Sequence, residues 1–227
     1  MRSRFPQSSS RRGFTLVEVM AVLGVIVVLM GIAIPTLATM RSEAWSTSCR
    51  TTLRELGLGL SAYRTSMGDR IPSCEPIPAE ISFSETSGGL PEVLDGYIDP
   101  GCTCWFCAAD FDPESRAAGT SYIYVPGLLR YTPQIQINVG QALVPLVQSG
   151  NYSLRHLEMF RRNIEANELT ALFEHESRRT LPLLMDSQDR HENNTQVPRN
   201  GLFIDGSVGE VEQELDEIGD GDQRIVP

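Results

Sequence analysis

Residues 11–37 read RRGFTLVEVMAVLGVIVVLMGIAIPTL. Two arginines and a glycine lead into about 25 mostly apolar residues, Phe14 to Ala38, enough for a helix to cross a bilayer's hydrocarbon core. One charge, Glu18, interrupts the run. A carboxylate inside a membrane segment costs about 2.5 to 3.5 kcal/mol on insertion scales, so its presence calls for a use. The run is longer than the apolar part of a cleaved secretory signal, and no small-x-small site follows it cleanly, so it reads as a retained anchor. The arginine-rich end is expected in the cytoplasm, and everything after about residue 40 outside.

What the anchor carries is bounded by the 227 residues of the chain, which leave room for one ordinary domain. A hydrophobic content of 41% is enough for a real core. The formal charge is −10, all nineteen bases are arginine, and four of these (Arg2, Arg4, Arg11, Arg12) precede Gly13. The remainder is therefore strongly acidic and repels nucleic acid, which is excluded as a partner.

Residues 1–13 are polar, basic and serine-rich, an unstructured leader. A helix is expected from Phe14 to about Arg64. Pro35 sits inside its apolar half, where it removes a backbone donor. Trp45, Cys49, Leu53, Leu56, Leu60 and Tyr63 then recur at spacings of three and four, one apolar stripe that something must cover. From Ser66 to Ala118 the periodicity fails, apart from a short helix around Pro91 to Leu94. Strands are expected at Ser121–Val125, Gln134–Val139 and Leu181–Met185. Between the last two, Asn151–Ser177 reads as an amphipathic helix or pair of helices with Ser153 as N-cap. Gly201–Ile204 and Ser207–Val211 read as a hairpin about Asp205-Gly206, because Asp-Gly supplies positive φ angles. The chain ends in a run with seven acids between Glu210 and Asp222.

The hexapeptide Gly13-Phe14-Thr15-Leu16-Val17-Glu18 resembles the class III signal of type IV prepilins and type II secretion pseudopilins. The shared features are a short basic leader ending in glycine, then phenylalanine, an apolar run, and glutamate as fifth residue of the mature chain. Pro35 falls where pilin helices commonly carry proline. The resemblance implies that prepilin peptidase, a membrane aspartic enzyme, cuts between Gly13 and Phe14 and methylates the new amine of Phe14. It implies assembly into a filament with other pilin-like subunits on an inner-membrane assembly platform. Glu18 and Pro35 are then the assembly residues. A carboxylate in lipid is tolerable mainly when paired, and the Phe14 amine of an incoming subunit, or its own one turn away, is the natural partner.

His191 to Val211 is similar to the C-terminal stretch of planctomycete-type prepilin-like proteins, in which a histidine is followed after nine residues by Asp-Gly. Here thirteen residues separate His191 from Asp205. In that group a Cys-Pro-x-Asp element often precedes an aromatic strand. Cys107-Ala-Ala-Asp110 before Ser121-Tyr-Ile-Tyr-Val resembles it without the proline. The carry-over of Cys107, Asp110, Asp205 and Gly206 implies fold more than activity.

Cys102, Cys104 and Cys107 have the close spacing of a metal or redox site, which His191 or Cys74 could complete. Outside the cytoplasmic membrane disulfides are the default use of cysteine, so Cys74, Cys102, Cys104 and Cys107 are the disulfide candidates, with three pairings open. Cys49 lies on the helix stripe and reads as a buried small hydrophobe. His156 and His175, on the amphipathic segment, read as surface residues. No cofactor is expected: the acidic tail reads as a solvated surface, and the alternative is a calcium ion, which major pseudopilins use to order a loop. Asp216, Asp220 and Asp222 are the candidate oxygen ligands for it. No nucleophile elbow, phosphate-binding glycine loop or HExxH occurs, so no catalytic residue is assigned and no enzyme is expected.

The expected fold is α+β and pilin-like, a long N-terminal helix packed on a small antiparallel sheet. The expected division is a leader (1–13), a transmembrane half of the helix (14–38), an extramembrane half (39–65), a globular head (66–211) and an acidic tail (212–227). The expected function is structural, as a prepilin-like or pseudopilin subunit of a type II secretion pseudopilus or type IV pilus-like filament. The alternative is a membrane-anchored extracytoplasmic binding module that forms no filament, for which Glu18 has no use.

Overall fold

The computed structural model describes residues 15–77, 88–175, 180–188, 191 and 199–211, and at residues 35, 38, 39 and 42 the backbone alone. The chain divides into two compact units, Met1–Arg41 and Ser42–Pro227.

The first unit is helical from Leu16, where α1 (Leu16–Ser66) begins. Its segment Leu16–Ile34 has a mean hydropathy of 2.7 and no residue buried. An α-helix that is apolar all round is solvated by lipid or by protein; among the described residues this is the one helix long and apolar enough to cross a membrane. The helix runs on through Pro35. Just beyond it, the Thr36 hydroxyl donates to the carbonyls of Ile32 (3.3 Å) and Ala33 (2.9 Å), the kind of side-chain bond that keeps proline tolerable in an apolar helix.

In the second unit the expected stripe of α1 is the inner wall of the core. Cys49, Leu53, Leu56 and Leu60 are buried, with Trp45 and Tyr63 half-buried at its ends. That burial carries the helix through Gly57 and Gly59 as far as Ser66. The sheet is antiparallel with order β1-β2-β3-β4, formed by β1 (Tyr122–Tyr124), β2 (Pro182–Asp186), β3 (Asn200–Phe203) and β4 (Val208–Glu210). Tyr122 pairs with Asp186, Leu184 with Leu202 and Leu202 with Val208. Side chains tie the sheet to the α1 stripe: Arg50 donates to Asn200 Oδ1 (2.8 Å) and pairs with Glu210 (2.7 Å), and the Thr52 and Tyr122 hydroxyls lie 2.7 Å apart. The class is therefore α+β, a long N-terminal helix with a small antiparallel sheet, as expected.

The hairpin is real but its turn differs. The Phe203 amide donates to the Ser207 carbonyl and the Gly206 amide to the Phe203 carbonyl, which leaves three residues in the loop. Only Gly206 has a positive φ, +81°. This is the three-residue hairpin in which a left-handed glycine closes a turn, so one positive angle is needed where two were expected. Asp205 Oδ1 accepts from the Ser207 amide (2.8 Å) and holds the loop.

The remaining elements are helical. They are α2 (Leu90–Val93), a 3-10 turn (Thr103–Trp105), α3 (Pro113–Ala118), α4 (Val125–Leu129), α5 (Pro133–Gln148) and α6 (Leu154–Glu174). Ser153 caps α6 as expected, accepting from the His156 amide at 3.2 Å. Gln134–Val139, expected as a strand, lies in α5. Its alternation of Ile135, Ile137 and Val139 suggested a period of two, but Ile135 and Val139, four apart, are buried while Ile137 is 54% exposed. Pro133 at the first helical position starts that helix, and Asp112 with Pro113 starts α3 in the same way, the Asp112 carboxylate accepting from Glu114 N at 3.0 Å.

Candidate functional site

Gly13 and Phe14 lie outside the described residues, and so do Asp216, Asp220 and Asp222. Glu18 is described, and its carboxylate is engaged within its own helix. Oε2 accepts from the Thr15 amide at 2.8 Å and from the Thr15 hydroxyl at 2.9 Å, while Thr15 Oγ1 faces the Glu18 amide at 3.3 Å. Thr15 is the N-cap and Glu18 the third helical residue, so the pair is a reciprocal capping box that satisfies amides a helix start leaves unpaired. The Thr-x-x-Glu spacing before an apolar run carried that signal in the sequence.

The cysteines are arranged differently from the expectation. Cys49 is disulfide-bonded to Cys107 and Cys102 to Cys104, while Cys74 is a free, buried thiol. Cys74 is thus removed from the disulfide set and Cys49 added. The reason is position. The α1 stripe brings Cys49 under the loop that follows the 3-10 turn, with its Cα 4.9 Å from that of Cys107, whereas Cys74 is enclosed among core residues and burial pushes its thiol well above the ordinary range.

Two further side chains converge on Cys107. His191 Nε2 stands 3.5 Å from Cys107 Sγ and 3.5 Å from Asp186 Oδ2. Cys49, Cys107, Asp186 and His191 are all buried, with one candidate ligand atom from each lying within 4.8 Å of the others. The sequence pointed to Cys107 and His191 but to neither Cys49 nor Asp186 in this company. Asp110 serves the fold: it accepts from the Ser121 hydroxyl and from the Asp112 amide.

A buried ionic cluster lies elsewhere in the second unit. Arg130 is 1% exposed and reaches Glu75 (3.3 Å) and Glu165 (3.1 Å), both equally buried. The Tyr131 hydroxyl donates to Glu75 and the Ser73 hydroxyl to Glu165. It joins the loop before α2, the C-terminus of α4 and α6, and no local pattern marks it.

Residues 8–34 match the family model described as the prokaryotic N-terminal methylation motif. No curated protein and no solved structure matches the chain. The matched stretch includes the Thr15–Glu18 cap and most of the apolar helix, and the motif with that one helix describes a single-pass membrane anchor. At residues 8–34 the chain therefore carries the prepilin-type N-terminal methylation signal.

Proposed function

We propose that the protein is a prepilin-like subunit, cut by prepilin peptidase between Gly13 and Phe14, methylated on Phe14 and assembled into a type II secretion pseudopilus or a type IV pilus-like filament. The observation that carries this reading is the methylation motif over residues 8–34, which places Glu18 near the start of a membrane-compatible helix. Leader 1–13, membrane half 14–38, extramembrane half 39–65, head 66–211 and acidic tail 212–227 are the proposed divisions. The N-terminus lies in the cytoplasm and the head outside the inner membrane. The role is structural, without catalysis. Its partners are the peptidase, neighbouring subunits and an assembly platform.

The proposed chemistry of assembly is electrostatic. Cleavage creates a cationic amine at Phe14, and a buried carboxylate is stabilised by such a partner far more than by lipid. Before cleavage Glu18 is satisfied by Thr15; after it, the amine competes for the same oxygens. Expression beside a prepilin peptidase and its assembly platform, followed by shearing of surface filaments, tests this. Recovery of the chain in the sheared fraction supports the reading. A cleaved chain that stays wholly in the membrane supports an anchored binding module instead.

A further inference from the structure

The cluster of Cys49, Cys107, Asp186 and His191 has features that a structural disulfide does not need. Two residues, a histidine and an aspartate, are buried at 5% and 0% exposure against the sulfurs. Asp186 Oδ2 accepts from the Asn200 amide at 3.0 Å, but Oδ1 is buried with no hydrogen-bond partner among the described residues. An orphaned buried carboxylate oxygen is destabilising unless a cation or donor meets it.

The spacing of the donors is also telling. Across a tetrahedral zinc ion with bonds of about 2.3 Å to sulfur and about 2.0 Å to nitrogen or oxygen, sulfur and nitrogen stand about 3.5 Å apart, and nitrogen and oxygen about 3.3 Å. His191 Nε2 lies 3.5 Å from Asp186 Oδ2, long for a hydrogen bond, and 3.5 Å from Cys107 Sγ, within the range of a hydrogen bond to sulfur; both distances are close to those ligand separations. Asn200, whose amide holds Asp186, is itself fixed by Arg50 Nε at 2.8 Å, the kind of outer support that orients a metal ligand.

We propose that Cys49, Cys107, Asp186 and His191 form a tetrahedral site for zinc or a similar divalent transition metal, filled when Cys49 and Cys107 are thiols and closed when they are joined as a disulfide. The two states exclude each other, because a sulfur in a disulfide is not a thiolate ligand. Binding exchanges the two thiol protons for one metal ion. The sulfurs then stand about 3.8 Å apart, a separation side-chain rotation at Cys49 and Cys107 can supply. The proposal is independent of filament assembly.

The test is cobalt(II) titration of the full-length chain in detergent micelles, before and after reduction by a trialkylphosphine. In that reduction the phosphine becomes its oxide, while water supplies the oxygen and the two protons that make the thiols. The reduced chain is expected to bind one cobalt ion with the visible absorption of a tetrahedral site and thiolate-to-metal charge transfer; the disulfide form is expected to bind none. Cys49→Ser and His191→Ala should each weaken binding beyond the roughly 10- to 100-fold loss typical of outer-shell changes. Asp186→Asn, nearly isosteric, should also weaken it while circular dichroism shows the fold retained. The Cys102→Ser, Cys104→Ser double variant should bind as the parent does. A reduced chain that binds no cobalt overturns the proposal, as does one that unfolds and is not restored by the metal. Binding that survives His191→Ala and Asp186→Asn, or that disappears in the Cys102, Cys104 variant, overturns it too.

Discussion

Thr15 and Glu18 cap one another at the start of α1, the Thr15 amide 2.8 Å from Glu18 Oε2 and the Glu18 amide 3.3 Å from Thr15 Oγ1. The carboxylate therefore has a local role that does not depend on any neighbouring subunit. Glutamine closes a capping box as glutamate does but carries no charge. Glu18→Gln is accordingly expected to leave membrane insertion and cleavage intact and still fail to enter filaments. Glu18→Ala should fail in the same way. Filament incorporation by Glu18→Gln at the parent level, scored by immunoblot of sheared material, would reduce Glu18 to a helix cap.

Arg130 is the hub of the head's buried charge. Removing one partner of a buried ion pair leaves an uncompensated charge and typically costs about 3 to 5 kcal/mol, while replacing all partners with apolar residues of similar size is often neutral. Arg130→Met is expected to lower the midpoint of thermal unfolding markedly. The triple change Arg130→Met, Glu75→Leu, Glu165→Leu should recover most of the loss, despite the Tyr131 and Ser73 hydroxyls and the solvent-accessible Arg161 guanidinium, 3.1 Å from Glu165, that it leaves behind. A single variant as stable as the parent would contradict the role given to the cluster.

Burial raises the Cys74 thiol and the Tyr63, Tyr124 and Tyr131 phenols above their ordinary values, with the hydrogen bond to Glu75 adding to the effect at Tyr131. Groups raised in the folded state stay protonated there while the unfolded chain ionises, so the unfolded state binds fewer protons and stability falls as pH rises. Stability should be insensitive to these groups below the ordinary thiol value of 9.0 and should decline above it, more steeply past the ordinary phenol value of 10.0. Denaturant midpoints measured across that range check the sign. In the native chain Cys74 should also resist iodoacetamide until denaturant is added.

Much of this fold was legible because it rests on periodicity and turn chemistry. The α1 stripe from Trp45 to Tyr63, the Ser153 cap and the Asp205-Gly206 hairpin are local patterns with local causes. The α5 segment was misread because Gln134 to Val139 satisfies a period of two as well as the i, i+4 pair Ile135 and Val139, and only burial separates them. Helix α3 carries a readable Asp-Pro start inside a stretch too rich in breakers to suggest a helix, while α4 opens at Val125-Pro126, so the strand expected over Ser121–Val125 ends at Tyr124. The Cys49–Cys107 link and the Arg130 cluster join residues far apart in sequence, so no spacing rule reaches them. At the anchor the opposite holds: Gly13 to Glu18 is contiguous, and the motif is read from those residues directly.

Gly127 in α4 illustrates a constraint that composition hides. A Cβ there would sit 2.6 Å from Pro76 N and 2.8 Å from the Cys74 carbonyl oxygen, both backbone atoms that cannot turn aside. The Tyr124 amide donates to the Pro76 carbonyl at 3.0 Å in the same contact. Gly127→Ala should destabilise the head by about 1 to 3 kcal/mol, the usual range for overpacking. An unchanged unfolding midpoint would show that the two segments part without penalty.

If residues 8–34 act as a prepilin-type signal, the mass of the membrane-extracted chain records the cut. A mature N-terminus at Phe14 carrying one methyl group on its amine, with Met1 to Gly13 absent, is the expected result. A chain that retains Met1 beside an active prepilin peptidase would contradict it.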